Sequence, residues 1–195
     1  MSSPLSRPSA HSSVASIDVV AQRSGSWIDT VNSIETMHDV FMTDLVYLRD
    51  AQLRTFTARV ASIEESGVVL DRTCFYPTGG GQPHDTGRLS WDGGSADVVD
   101  VKKVGDVVVH VLDGDTPEIG SAVTGDIDWD RRHALMRTHT ALHVLCGVIW
   151  NEWHVPVTGG NMEPLAARMD FEFDPLPEGF AERVETLVNA ELAAD

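Results

Sequence analysis

Between about residues 53 and 128 the chain alternates short β-branched runs with tight turn signals, then abruptly changes period. Leu53 to Ile63 and Gly67 to Asp71 flank Glu64-Glu65-Ser66-Gly67, a pattern that predicts a hairpin. Gly87 to Trp91, Asp97 to Val104 and Val107 to Leu112 follow, with Asp92-Gly93-Gly94 and Gly105-Asp106 as turns. Gly105-Asp106 between two valine-rich runs is a two-residue hairpin signal. Ser121 to Asp128 ends the series. Strands this closely spaced predict a small barrel or a curled sheet. From there the repeat is helical: Asp128 or Asp130 can cap a helix to about Trp153, with Leu135, Leu142, Leu145, Ile149 and Trp153 on its apolar side. Arg168 to Phe173 alternates like a strand, and Glu178 to Leu192 repeats Phe180, Val184, Leu187, Val188 and Leu192 at helical spacing. The expected class is α+β.

Composition narrows the setting. The 195 residues are 42% hydrophobic with mixed charge, which is globular. No apolar run approaches a membrane span, so a soluble chain is expected. Cys74 and Cys146 are the two cysteines, too few for a disulfide scaffold and suited to a reducing cytoplasm. A net charge of −16 opposes broad adhesion to nucleic acid while leaving room for a grip on one RNA end. Residues 1–41 differ in texture: seven serines fall in the first sixteen positions, without an apolar period. That segment reads as a disordered extension, with Trp27, Val31 and Ile34 at the spacing of a short helix. Arg7 and Arg23 sit in no basic amphipathic pattern, and no secretory core is present.

Two stretches carry chemistry. In Arg137-Thr138-His139-Thr140-Ala141-Leu142-His143, two imidazoles four residues apart share one helical face, with Cβ atoms roughly 6 Å apart. Zinc accepts imidazole nitrogen at about 2.0–2.1 Å, so both rings can meet one ion, and Cys146 shares their face. The same spacing also suits a polar core or surface pair. Thr140 stands where a metalloprotease would need glutamate as its base. The second stretch, Phe75-Tyr76-Pro77-Thr78-Gly79-Gly80-Gly81-Gln82-Pro83, places an amide after three glycines. It lacks the Gly-Lys-Ser/Thr of a phosphate loop and does not open a helix, so it is either a tight turn or a close backbone approach to a ligand. Gln82 could donate to a carbonyl oxygen or orient a water. His84, His110 and His133 read as exposed or paired rings, Trp129, Trp150 and Trp153 as packing, and Thr158-Gly159-Gly160-Asn161 as a turn.

Together these motifs resemble the freestanding alanyl-tRNA editing proteins and the matching editing domain of alanyl-tRNA synthetase. The resemblance runs through Met42-Thr43-Asp44, Leu48-Arg49-Asp50, Asp71-Arg72-Thr73, the glycine loop and Asp85-Thr86-Gly87. It continues through Met136 to His143, Val157-Thr158-Gly159-Gly160 and Arg168-Met169-Asp170-Phe171, covering about three quarters of the chain. It implies a β-barrel-like glycine-motif domain over 42–128, then a two-layer α/β editing domain over 129–195, with Met42 near the usual family start. It further implies hydrolysis of the ester in tRNA(Ala) wrongly charged with serine or glycine, at the charged acceptor end. His139 and His143 match the first two zinc ligands, Gln82 the loop glutamine near the ester, and Thr158 is the candidate for the serine hydroxyl. The family completes its Zn2+ site with a Cys-x-x-x-His pair farther downstream, so the editing domain is expected to be incomplete at its C-terminus. Two other functions compete: a noncatalytic tRNA-end-binding module, and a release-factor-like hydrolase suggested by Gly80-Gly81-Gln82 but opposed by the acidic charge and flanking strands.

Overall fold

In strand β2 (Thr55–Glu64), Phe56, Ala58 and Val60 are buried while Thr55, Thr57 and Arg59 face outward, the period-two pattern of a sheet with one wet face. The computed structural model describes residues 42–194; the expected disordered extension and the Trp27 to Ile34 helix lie outside them. The other barrel strands are β3 (Gly67–Leu70), β5 (Gly87–Trp91), β6 (Gly94–Val104), β7 (Val107–Gly114) and β8 (Ala122–Ile127). They pair antiparallel in the order β2-β3-β7-β6-β5-β8, and β8 returns to β2 to close the barrel. Closure removes the free edges that so many short strands would otherwise present. Two short segments, β1 (Asp44–Leu45) and β4 (Arg72–Thr73), form a parallel pair beside it.

The barrel interior holds Val60, Val68, Leu70, Phe75, Leu89, Val98, Val101 and Val108, all nearly inaccessible to water. Gly125 faces Phe56 across the β2–β8 ladder, and a Cβ there would lie 2.4 Å from the Phe56 ring. Glycine is thus required for that ring to enter the core. A polar ring, His110, also lies inside, as inaccessible as the Thr73 it meets. Its Nδ1 faces the Val68 carbonyl at 3.0 Å, its Nε2 faces Thr73 Oγ1 at 2.8 Å, and Phe75 packs edge-on against the ring. This paired ring agrees with the sequence expectation.

Complete burial lowers the His110 pKa from 6.5 to about 4. An unfolded chain takes up that proton near 6.5, whereas the native chain takes it up only near 4. Stability from this residue is therefore full above the unfolded value and is lost as pH falls through that window, by up to about 1.4 kcal/mol per pH unit. Urea unfolding at several pH values between neutral and mildly acidic should show wild type losing stability faster than His110→Gln. A stability gap independent of pH would disprove the assignment.

Helix α1 (Trp129–Trp153) starts where Asp128 Oδ1 accepts the Arg131 amide at 3.1 Å, and it ends on left-handed His154. Of the expected apolar stripe, Leu135 and Ile149 are buried, whereas Leu142, Leu145 and Trp153 are half-buried. The face toward the rest of the fold is partly polar, with Arg132 and Thr138 also buried. A hairpin of β9 (Val157–Glu163) and β10 (Ala166–Phe171) packs on α1, where Thr138 Oγ1 accepts the Leu165 amide at 2.9 Å. Here one expectation is corrected. Thr158-Gly159-Gly160-Asn161 is strand, with Gly159 opposite Asp170 and Gly160 opposite Met169. Most of β9 is exposed, so it carries no apolar alternation to betray it.

Helix α2 (Phe180–Ala194) has no buried residue and meets α1 through Trp153, Phe173 and Phe180 and an Arg183–Glu152 ion pair. No helix among the described residues is long and apolar enough to cross a membrane.

Candidate functional site

The three consecutive glycines have a local cause. Gly79 and Gln82 exchange both backbone hydrogen bonds at 3.0 Å, closing a two-residue turn over Gly80 and Gly81, whose φ values are +59° and +81°. Positive φ at both central positions is what a type I′ turn needs, and glycine adopts it without strain. The turn is anchored on both sides. The Thr78 amide donates to the Val101 carbonyl at 3.0 Å, and the Met162 amide of β9 donates to the Gly81 carbonyl at 3.2 Å. A Cβ on Gly81 would sit 3.2 Å from the Gly160 carbonyl oxygen, so the turn also uses glycine for close approach to β9.

Below the turn lies a buried ion pair. Arg132 donates to both Asp85 carboxylate oxygens, to the Cys74 carbonyl at 2.6 Å and to the Ala51 carbonyl at 3.0 Å. Asp85 also accepts the Tyr76 amide at 2.6 Å. Asp85 has zero exposure and Arg132 3%. The pair therefore clamps the chain entering and leaving the glycine turn to the first turns of α1. His139 follows Arg132 by seven residues, close to two helical turns, and so projects from the same side of the helix.

Gln82 and His139 consequently meet. His139 Nδ1 donates to Gln82 Oε1 at 2.8 Å, and the rings of His139 and His143 stack at 4.8 Å with planes 10° apart. All three border a cavity of about 400 Å³ between the turn, α1 and the β9–β10 hairpin. Thr158 borders it too, its hydroxyl donating to the Asp170 carbonyl at 3.1 Å, as do Cys146 and Met169, whose sulfurs lie 3.7 Å apart. Burial pushes the Cys146 thiol up, favouring the protonated form. The structure thus brings Gln82, His139, His143 and Thr158 around one cavity.

The donor set for a metal is partial. His139 and His143 offer two imidazoles side by side, but among the described residues no group of three His, Cys, Asp or Glu side chains assembles around one point. Catalytic zinc ordinarily has three protein ligands. His84 and His133 lie elsewhere: His84 contacts Thr78 Oγ1 and Asp100, and His133 stacks on Trp129. Sequence reasoning missed the Asp85–Arg132 clamp. Its one available signal was an arginine on the helix face otherwise assigned to the core.

Comparison with known proteins gives the kinship. The family model of tRNA synthetases class II (A) matches residues 10–131, more than half of the chain. That match takes in most of the segment set aside in the sequence as an extension. Alanine–tRNA ligase of Pyrobaculum calidifontis is 42% identical over 170 residues, which are 82% of this chain and 18% of the ligase. Alanine–tRNA ligase of Hyperthermus butylicus is 46% identical over 144 residues, 72% of this chain and 16% of the ligase. That of Pyrococcus furiosus is 38% identical over 167 residues, 83% of this chain and 18% of the ligase. The chain thus spans under a fifth of the length of these curated relatives. On the extent of the family match, the chain belongs to the class II (A) tRNA synthetases, and within them it is similar to one segment of the alanine–tRNA ligases.

Proposed function

We propose that this chain is a cytoplasmic editing module that hydrolyses the ester of tRNA(Ala) wrongly charged with serine or glycine, acting in trans as a freestanding protein. The observation that carries the reading is the Gln82–His139 hydrogen bond at the edge of the cavity. It holds the Gln82 amide with its NH2 group left to donate to an ester carbonyl or a water. With Nδ1–H committed to Gln82, the neutral His139 ring keeps its lone pair on Nε2. Thr158 already donates to Asp170, so its oxygen can still accept from a serine hydroxyl. Alanine would leave that acceptor unpaired, which gives a basis for sparing the correct ester. His139 and His143 would hold Zn2+, which supplies polarisation of the ester or of a water. Two ligands are a weak hold, and Cys146, drawn toward Met169 as a protonated thiol, is a poor third.

The test pairs deacylation of Ser-tRNA(Ala) and Ala-tRNA(Ala) by the full chain with metal analysis by mass spectrometry. The serine ester should be cleaved faster, and zinc should leave the protein on dialysis. About one tightly held zinc per chain, lost on Cys146→Ser, would make Cys146 a ligand and refute the weak-hold expectation. The competing reading is a noncatalytic module that binds the tRNA end. Its motive is the same two-ligand set. Binding of charged tRNA without deacylation, even with zinc added, would establish it instead.

A further inference from the structure

A second cavity, of about 630 Å³, lies on another face of α1 and is bordered by Gln52, Arg54, Trp129, His133, Arg137 and Thr140 among others. None of its bordering residues is a carboxylate. In a chain of net charge −16 that is unusual ground. Elsewhere among the described residues the cations are mostly committed: Arg49, Arg88, Lys102, Arg132, Arg168 and Arg183 are each ion-paired. Arg59 and Arg131 donate to backbone carbonyls. Arg54, Arg72, Lys103 and Arg137 have no carboxylate partner among the described residues, and of these Arg54 and Arg137 border the same cavity. Arg54 lies 4.1 Å over the Trp129 ring, and His133 stacks on that indole with planes 16° apart. The cavity is thus bordered by an aromatic stack and two exposed guanidinium groups, one of them lying over the indole.

We propose that this groove is a binding site for the RNA backbone, with Arg54 and Arg137 taking phosphates and the exposed His133 ring taking a base or ribose face. Guanidinium groups suit phosphate oxygens, and aromatic faces accept any base, so the site would position an RNA without reading its sequence. Met136 and Thr140, which border this cavity, precede His139 and His143 of the first cavity by three residues each on α1, so the two cavities lie on adjoining faces of the helix. A strand whose 3′ end enters the cavity at His139 can therefore lay its preceding phosphates along the adjoining face. The proposal rests on the tRNA-end reading above and adds where the strand runs.

The experiment measures binding of a short RNA hairpin with the tRNA(Ala) acceptor-stem sequence and a single-stranded 3′ end, as a function of salt. The full chain is compared with Arg137→Gln, with the Arg54→Gln/Arg137→Gln double variant, and with Arg88→Gln, an ion-paired arginine on the barrel. Removing one phosphate-binding arginine should lower the slope of log K against log salt by about 0.7–0.9, so the double variant should lose roughly 1.5. Arg137→Gln, which removes no hydrogen bond or ion pair formed among the described residues, should lose about half of that, and Arg88→Gln should keep the wild-type slope. An unchanged slope in the double variant, with wild-type binding intact, would overturn the groove while leaving the tRNA-end reading standing. An equal loss in Arg88→Gln would mark a general charge effect and also overturn it. No binding by wild type at low salt would defeat both readings.

Discussion

Replacing Arg132 with methionine should cost about 3–5 kcal/mol of folding stability, because it strips the partner from a carboxylate with no access to water. Asp85 would retain the Tyr76 amide and be deprived of the guanidinium altogether. The Cys74 and Ala51 carbonyls would lose donors as well. For a domain of ordinary stability, about 5–15 kcal/mol, that is a large share of the total. Urea unfolding followed by circular dichroism reads the loss directly. A companion Asp85→Leu/Arg132→Met variant should recover much of it, since removing both charges leaves nothing buried and unpaired. A loss below about 1 kcal/mol for Arg132→Met would place it among ordinary surface changes and show that the clamp is not a keystone.

The clamp also explains which parts of this molecule could be read in advance. Turn signals bounded β5 at Gly87–Trp91 to the residue, and the capping logic offered Asp128 or Asp130 ahead of a helix to about Trp153, of which Asp128 is the cap of the 25-residue helix. Strand spacing pointed to a small barrel or a curled sheet, and the β2–β8 pairing that closes the barrel is long-range and was not legible. The β9–β10 hairpin was only half legible, because strand β9 has mainly exposed positions and no hydrophobic alternation. The partners of Arg132 could not be read at all. They come from positions 51, 74 and 85, which share nothing in sequence with position 132. At the site, the i, i+4 spacing accounts for the stacked His139 and His143 rings, which lie on one face of one helix. The contact between His139 and Gln82, 57 residues apart, depends on the barrel, the type I′ turn and the clamp together. Only the resemblance to editing domains pointed to it beforehand.

Gln82→Ala should lower deacylation of Ser-tRNA(Ala) by roughly 10²–10³-fold while leaving the fold nearly intact, the range seen when one oriented polar stabiliser is removed. The backbone of residue 82 closes the glycine turn through its own amide and carbonyl, and alanine keeps both. What disappears is the carboxamide: its oxygen as the acceptor for His139 Nδ1, and its NH2 group as a donor toward the cavity. His139 would then be without the hydrogen bond that fixes its tautomer, so two consequences should emerge together. Single-turnover deacylation should slow, and the His139 ring nitrogens should shift in ¹⁵N spectra toward an averaged tautomer. Gln82→Glu separates these effects, because a carboxylate still accepts from Nδ1–H but cannot donate. It should restore the tautomer and leave the rate low. If Gln82→Ala deacylates at the wild-type rate, Gln82 only ends a turn, and the reaction must be assigned to other groups around the cavity.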